Sequence, residues 1–147
     1  MEKKEEDDLV SGTFTWKIKK FSNLNGDEFY SDIFVVGGFK WRVLLYPKGN
    51  KGKTFISMYL DVADSSTLPF GWTRYAQFSF TLVNQLDRIL SKTEDTEHEF
   101  NANECDWGFT KFMPASEIHD LSKGYLVNDT CLVEANVSVR KRVILKS

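Results

Sequence analysis

Histidine, cysteine and proline are scarce in this chain, with two, two and three copies among 147 residues. Cys105 and Cys131 show no CxxC spacing, match no closed zinc site, and come with no sign of secretion. Two reduced thiols are therefore expected, not a disulfide or a metal centre. His98 and His119 sit in no nucleophile motif, so the pairing of Ser or Cys with a general base that covalent catalysis requires is not visible, and no enzyme is expected. Phosphate cradles are missing as well. The glycines of Gly49-Asn50-Lys51-Gly52-Lys53 lack P-loop spacing and read as a hairpin tip. No apolar stretch occurs in the charged run Met1 to Asp8, so neither a signal peptide nor a membrane anchor is expected. A cytoplasmic address follows, with the nucleus as a second compartment. The net charge of -2 gives no general attraction for polyphosphate, which argues against nucleic acid as a partner. No cofactor is implied.

What the chain does have is aromatic residues: Phe 12, Tyr 5 and Trp 4, within a composition that is 41% hydrophobic. That mixture favours strands and argues against disorder. One core is within reach, since a globule of this length buries roughly two-thirds of its unfolded surface. Residues 1–11, where acids and lysines alternate without apolar spacing, read as a solvated tail. From Thr13 onward, Phe14, Trp16 and Ile18 alternate with Thr15, Lys17 and Lys19, the period of a strand with one buried face. Further strands are expected at Tyr30 to Val36, Phe39 to Tyr46, Phe55 to Val62, Tyr75 to Val83, Glu97 to Asn101, Thr110 to Met113 and Cys131 to Arg142. Gly37-Gly38 between two of them predicts a tight hairpin. Pro114 to Ile118 allows one short helical turn, and Leu82 to Leu90 is expected as strand running into loop. Short turns and the lack of βαβ units predict an antiparallel sandwich.

Two features bear on chemistry. Glu94, Asp95, Glu97 and Glu99 supply carboxylates, but in a polar stretch that reads as a solvated loop with no apolar neighbours to raise a pKa. Asp106-Trp107-Gly108-Phe109-Thr110-Lys111-Phe112 is a dense aromatic cluster beside one acid. Its aromatics are either core or, where an indole next to glycine stays partly exposed, an anchor for a partner.

In chain order, Phe14 to Ile18, Trp41 to Gly49, Ser57-Met58-Tyr59-Leu60, Asp106-Trp107-Gly108-Phe109, and Asn128-Asp129-Thr130 before the last strand form a combination that resembles the MATH (meprin and TRAF homology) domain. The resemblance spans roughly Thr13 to Arg142. Tyr30 to Gly38 and Asp61 to Ser65 bring it nearest to the MATH domains at the head of plant-type ubiquitin-specific proteases. The protease part is missing, so a stand-alone MATH domain over residues 12–142 is expected, followed by a tail at 143–147.

The resemblance implies an all-β fold, an eight-stranded antiparallel β-sandwich of the TRAF-C/MATH kind with one short helical turn. It further implies a shallow groove that holds short extended peptides of other proteins, as an adaptor in ubiquitin-related regulation. By position, Trp107 is the apolar platform, Asp106 accepts a hydrogen bond from a peptide serine, and Phe109 supports the platform. Lys48 stands where the protease branch places an arginine, and Tyr59, Phe78 and His98 correspond to groove aromatics of the ligase-adaptor branch, with histidine in place of a tyrosine. The alternative is an assembly or self-association module whose groove takes no peptide.

Overall fold

The computed structural model describes residues 8–49 and 54–140. The hairpin tip expected around Gly49 to Lys53 and the segment beyond Arg140 fall largely outside these residues. Nine strands are present among the described residues: β1 (Leu9–Ile18), β2 (Phe29–Tyr30), β3 (Phe34–Val36), β4 (Phe39–Tyr46), β5 (Phe55–Val62), β6 (Thr73–Leu82), β7 (Lys92–Asn101), β8 (Asp106–Pro114) and β9 (Cys131–Arg140). One helical turn, α1 (Ala115–Ile118), follows Pro114 as expected. The strands form two antiparallel sheets, ordered β1-β9-β6-β7 and β2-β4-β5-β8, with β3 also on β4.

The alternation of apolar residues decides which side of each strand enters the core. On β4, Trp41, Val43 and Leu45 point inward, and on β5, Ile56, Met58, Leu60 and Val62 do the same. From the other sheet, Ala76, Phe78, Phe80 and Leu82 of β6 meet Cys131, Val133, Ala135, Val137 and Val139 of β9. Burying a large apolar side chain of this kind stabilises by about 1.5–3 kcal/mol. Edge-on aromatic packing adds shape to the centre: Trp41 meets Phe100 at 5.3 Å and Phe78 meets Phe80 at 5.5 Å between ring centroids.

The count of nine strands in place of eight has a local cause. The single strand expected from Tyr30 to Val36 is divided, because Tyr30 pairs with Leu44 while Phe34 pairs with Trp41, four steps on one strand against three on the other. The extra residue makes a bulge. Ser31 fills it, its hydroxyl accepting from the Val43 N–H at 2.8 Å and its own N–H donating to the Val43 carbonyl at 2.9 Å.

Three other expectations shift. β1 starts at Leu9, ahead of Thr13, because its ladder with β9 continues to the Leu9–Arg140 pair. The acidic stretch 94–99 is strand, not loop, since β7 pairs with β6 without interruption from Lys92 to Asn101. β8 starts at Asp106, four residues before Thr110, through the Asp61–Asp106 and Leu60–Trp107 pairs. Leu82 does lead into a loop, which holds a 3-10 turn at Arg88–Leu90. Gly37 and Gly38 close β3 to β4 with φ of 61° and 82°, as a two-residue hairpin requires.

β8 is held to β5 by an unusually close approach at Gly108. A Cβ there would overlap the Met58 carbonyl oxygen and lie 2.7 Å from the Tyr59 Cα. Further along, β8 bulges opposite Ser57, whose hydroxyl donates to the Thr110 carbonyl at 2.6 Å. Gly108→Ala is therefore expected to force the two strands apart and to destabilise the domain by about 1–3 kcal/mol, read as a lowered urea midpoint at unchanged slope.

Candidate functional site

The two sheets end on one side in β7 and β8, each paired on only one flank among the described residues. Side chains close this open side of the sandwich. Trp107 leans from β8 across to β7, where the His98 imidazole lies flat on the indole, with centroids 3.9 Å apart and planes within 3°. Phe100 braces the imidazole edge-on at 4.7 Å. The indole stays 39% exposed, so it is neither sealed in the core nor free.

Below it sits an aromatic floor. Phe109 packs at 6.2 Å from Phe78, 6.1 Å from Phe80 and 6.0 Å from Phe112, partly buried against the core. Phe78 is only 3% exposed, so a ligand feels it through the rings above.

Adjacent residues of a strand face opposite ways, so Asp106 lies on the outward face of the five-stranded sheet while Trp107 lies over the slot. Both meet at the free edge of β8. Asp106 is paired across the ladder with Asp61, a buried carboxylate that accepts from Arg42 Nε at 2.7 Å. Arg42 in turn lies 3.8 Å over the Tyr30 ring. Glu28 joins the same face and accepts a hydrogen bond from the Tyr46 hydroxyl at 3.2 Å. Tyr46 meets Tyr59 edge-on at 5.8 Å, and the Tyr59 hydroxyl bonds to Thr110 Oγ1 at 2.9 Å.

The electrostatics follow from this crowding. Burial and then the nearby Glu28 charge raise the Asp106 carboxyl above its ordinary value, with His98 opposing. Asp61 is raised by burial against the opposing bond to Arg42. Burial, then Glu28, push the Tyr46 phenol up to about 12. Asp61, Cys105 and Asp106 each bring a ligand-type atom within 4.8 Å of the others. The Arg42 guanidinium already supplies positive charge to that group through Asp61. Cys131, in contrast, is sealed, and burial pushes its thiol up to about 12.

Of the residues singled out in the sequence, Trp107, His98, Phe109 and Phe78 form one connected aromatic group with Asp106 at its rim. Tyr59 stands on the outward face beside it. Lys48 is apart from these. It lies exposed in the turn after Tyr46, which is itself about 10 Å along β4 from Val43, the residue level with Leu60 and Trp107. Sequence reasoning missed Arg42, Asp61 and Glu28. A signal existed for the first two, since each is a charge at an alternate position of an otherwise apolar strand.

A sandwich of two antiparallel sheets that leaves an indole and a carboxylate together at an unpaired edge is a protein-interaction module of the TRAF-like kind. The chain belongs to the MATH domain family, whose profile matches residues 13–137. It is 59% identical over 128 residues to ubiquitin C-terminal hydrolase 12 of Arabidopsis thaliana, covering 87% of this chain and 11% of that protein. It is 56% identical over 135 residues to ubiquitin C-terminal hydrolase 13 of the same plant, covering 92% and 12%. A MATH domain and coiled-coil domain-containing protein of Arabidopsis thaliana is 49% identical over 123 residues, with 84% of this chain and 38% of that protein covered. The chain thus spans a small part of the hydrolases and well under half of the coiled-coil protein. Among solved structures, TRAF5 of Notothenia coriiceps superposes with a TM-score of 0.64 at 18% identity, covering 92% of this chain and 76% of that one, a likeness of fold.

The raised carboxyl of Asp106 has a consequence for stability. A carboxyl raised in the folded state binds its proton more readily there than in the unfolded chain, so its contribution is favourable at low pH and lost as pH rises through the folded value. Asp106→Asn removes that loss. The variant is expected to be more stable than the parent at pH 7, with the difference closing as pH falls below the carboxylate range, measured by chemical denaturation at both ends.

Proposed function

We propose that this domain binds short, extended, serine-containing peptides from other proteins, with Trp107 as platform and Asp106 as acceptor for the serine hydroxyl. The observation that carries the reading is the half-exposed indole beside a partly desolvated carboxylate on an edge with no strand partner. An extended peptide satisfies its backbone by pairing with such an edge, and its alternate side chains reach the rings. A hydroxyl donating to a charged acceptor is worth about 1.5–3 kcal/mol, and it relieves a carboxylate that is short of solvent. The indole contributes apolar area with two rotatable bonds to fix. Binding is about micromolar, because the contact is small and the peptide loses freedom. Avidity through multiple copies in an assembly would raise it.

The domain acts as an adaptor without chemistry of its own, in ubiquitin-related regulation in the cytoplasm and nucleus. Support for that setting is the similarity to two proteins named as ubiquitin C-terminal hydrolases. Tyr59 and Phe109 shape the groove, Phe78 supports it from beneath, and His98 fixes the indole. Lys48 serves as an outlying contact.

Trp107→Ala is expected to weaken binding of a serine-containing peptide by about 2 kcal/mol or more, with a lowered unfolding midpoint from the lost stack on His98 but a far-ultraviolet spectrum like that of the parent. Asp106→Ala should weaken the serine peptide and leave its alanine analogue unaffected. A folded Trp107→Ala that binds as well as the parent sinks the assignment. A concentration-independent oligomer that ignores peptides would instead mark an assembly module.

A further inference from the structure

The slot between β7 and β8 holds a polar atom that the fold leaves unserved. The His98 side chain is only 10% exposed, and its Nε2 has no hydrogen-bond partner among the described residues, Glu104 Oε1 standing off at 3.8 Å. A polar nitrogen sealed without a partner is unusual in a folded protein. Its aromatic neighbours cannot serve it, since the ring lies parallel to the Trp107 indole and edge-on to Phe100, and neither aims an N–H at the imidazole plane. The mouth of the slot is short of cations too. Among the described residues no Lys or Arg is paired with Glu104 or Asp106, and Arg42 is committed to Asp61.

Glu104 is placed to admit a visitor. Its backbone is fixed in the turn from β7 to β8, paired with Asn101 in both directions at 3.1 and 3.2 Å. Its side chain, in contrast, is 54% exposed and makes no hydrogen bond among the described residues, so the carboxylate can turn away from Nε2 while the turn beneath it stays put. With the ring proton on Nδ1, Nε2 is an acceptor, and together with Glu104 it forms a pair of acceptors open to one donor group. A guanidinium carries several N–H groups in one plane, so one goes to the carboxylate and another to Nε2. An ammonium brings the charge without that fork.

Strand geometry fixes where on a bound peptide such a group has to stand. Asp106 and Trp107 are consecutive on β8 and face opposite ways, and an extended chain laid along that edge alternates in the same manner. A serine on the Asp106 face therefore puts its immediate neighbours on the slot face, over Trp107, His98 and Glu104. Residues two away from the serine return to the Asp106 face. The exposed part of the indole gives the methylene stem of a long neighbouring side chain an apolar track toward Nε2.

We infer that the segment this domain takes up carries an arginine directly beside its serine, the hydroxyl donating to Asp106 on one face and the guanidinium bridging His98 Nε2 and Glu104 on the other. The inference rests on the peptide-binding reading and adds to it the class and the position of a second recognised residue. Two contacts on opposite faces also set the register of the peptide along β8, since a slip by one residue exchanges the faces and loses both. Lysine in the same place keeps the attraction to Glu104 and loses one of the two bonds. An acidic neighbour meets Glu104 as a like charge.

The test uses the full chain and three labelled peptides of one length, each with a central serine and otherwise alanine and glycine, titrated by fluorescence anisotropy. The first has an arginine on either side of the serine, the second has the same two arginines one residue further out, and the third has leucine for each arginine of the first. The first two are identical in composition and charge, so any general attraction to an acidic surface cancels between them. The first is expected to bind about tenfold tighter than either other. Glu104→Gln and, separately, His98→Phe, which keeps a ring on the indole and removes the acceptor, are each expected to bring the first peptide within about twofold of the second, with a far-ultraviolet spectrum like that of the parent. If the first two peptides bind alike, or the second binds tighter, and Trp107→Ala weakens both, the arginine inference is wrong and the peptide groove stands. A leucine peptide as tight as the first, or a margin that survives in either variant, overturns the inference as well. Should none bind, both readings fall together.

Discussion

Beyond the backbone pair of Asn101 and Glu104, where β7 turns toward β8, side chains shut the open flank of the two sheets, and here the closure is one flat ring on another. The His98 imidazole comes from the four-stranded sheet and the Trp107 indole from the five-stranded sheet, so their contact at 3.9 Å ties the two edges together beyond that turn. Almost everything at the candidate site follows from that contact. Stacking fixes the indole against one face and leaves the remainder in solvent, held in place without a ligand to order it. Phe100, Phe78 and Phe109 prevent either ring from sinking into the core. Gly108 brings β8 near enough to β5 for its neighbour Trp107 to lean across, which a side chain at that position would prevent.

The polar half of the site works by unequal sharing. Glu28, Asp61 and Asp106 lie on one sheet face with Arg42 as their paired cation, and Arg42 commits to Asp61. Among the described residues Asp106 is therefore left without an ion pair, exposed at the edge yet with its carboxyl raised by the crowding around it. Such a group costs stability while alone and recovers it when a donor arrives. Natural sites commonly hold groups that weaken the free fold in this way.

Periodicity made much of the sandwich legible. Alternation in β1 and β9 matched the buried and exposed faces, and Gly37-Gly38 marked a hairpin that the backbone adopts. The bulge at Ser31 was hidden, because a hydroxyl that replaces one ladder partner leaves no trace in an apolar pattern. The first half of β7, ahead of the strand expected from Glu97, was hidden for a different reason. Its acids look like loop, and only the ladder with β6 makes strand of them, so tertiary pairing overrode a poor local propensity. At the site, the motif around Trp107 pointed to the indole and its neighbouring acid. Their partial exposure, and the placing of Phe78 beneath them and Lys48 away from them, depend on contacts between distant strands. The stack with His98 joins positions on opposite sheets, which no spacing rule connects.

The crowded negative charge of β7 has one more effect, on copies of the molecule itself. An uninterrupted sheet margin of ten residues is a standing invitation to dimerise or to fibrillate, since a second margin of the same kind can zip onto it. Brought antiparallel about Glu97, two such margins would set Glu97 against its own copy and Asp95 against Glu99. Like charges facing one another work against that pairing.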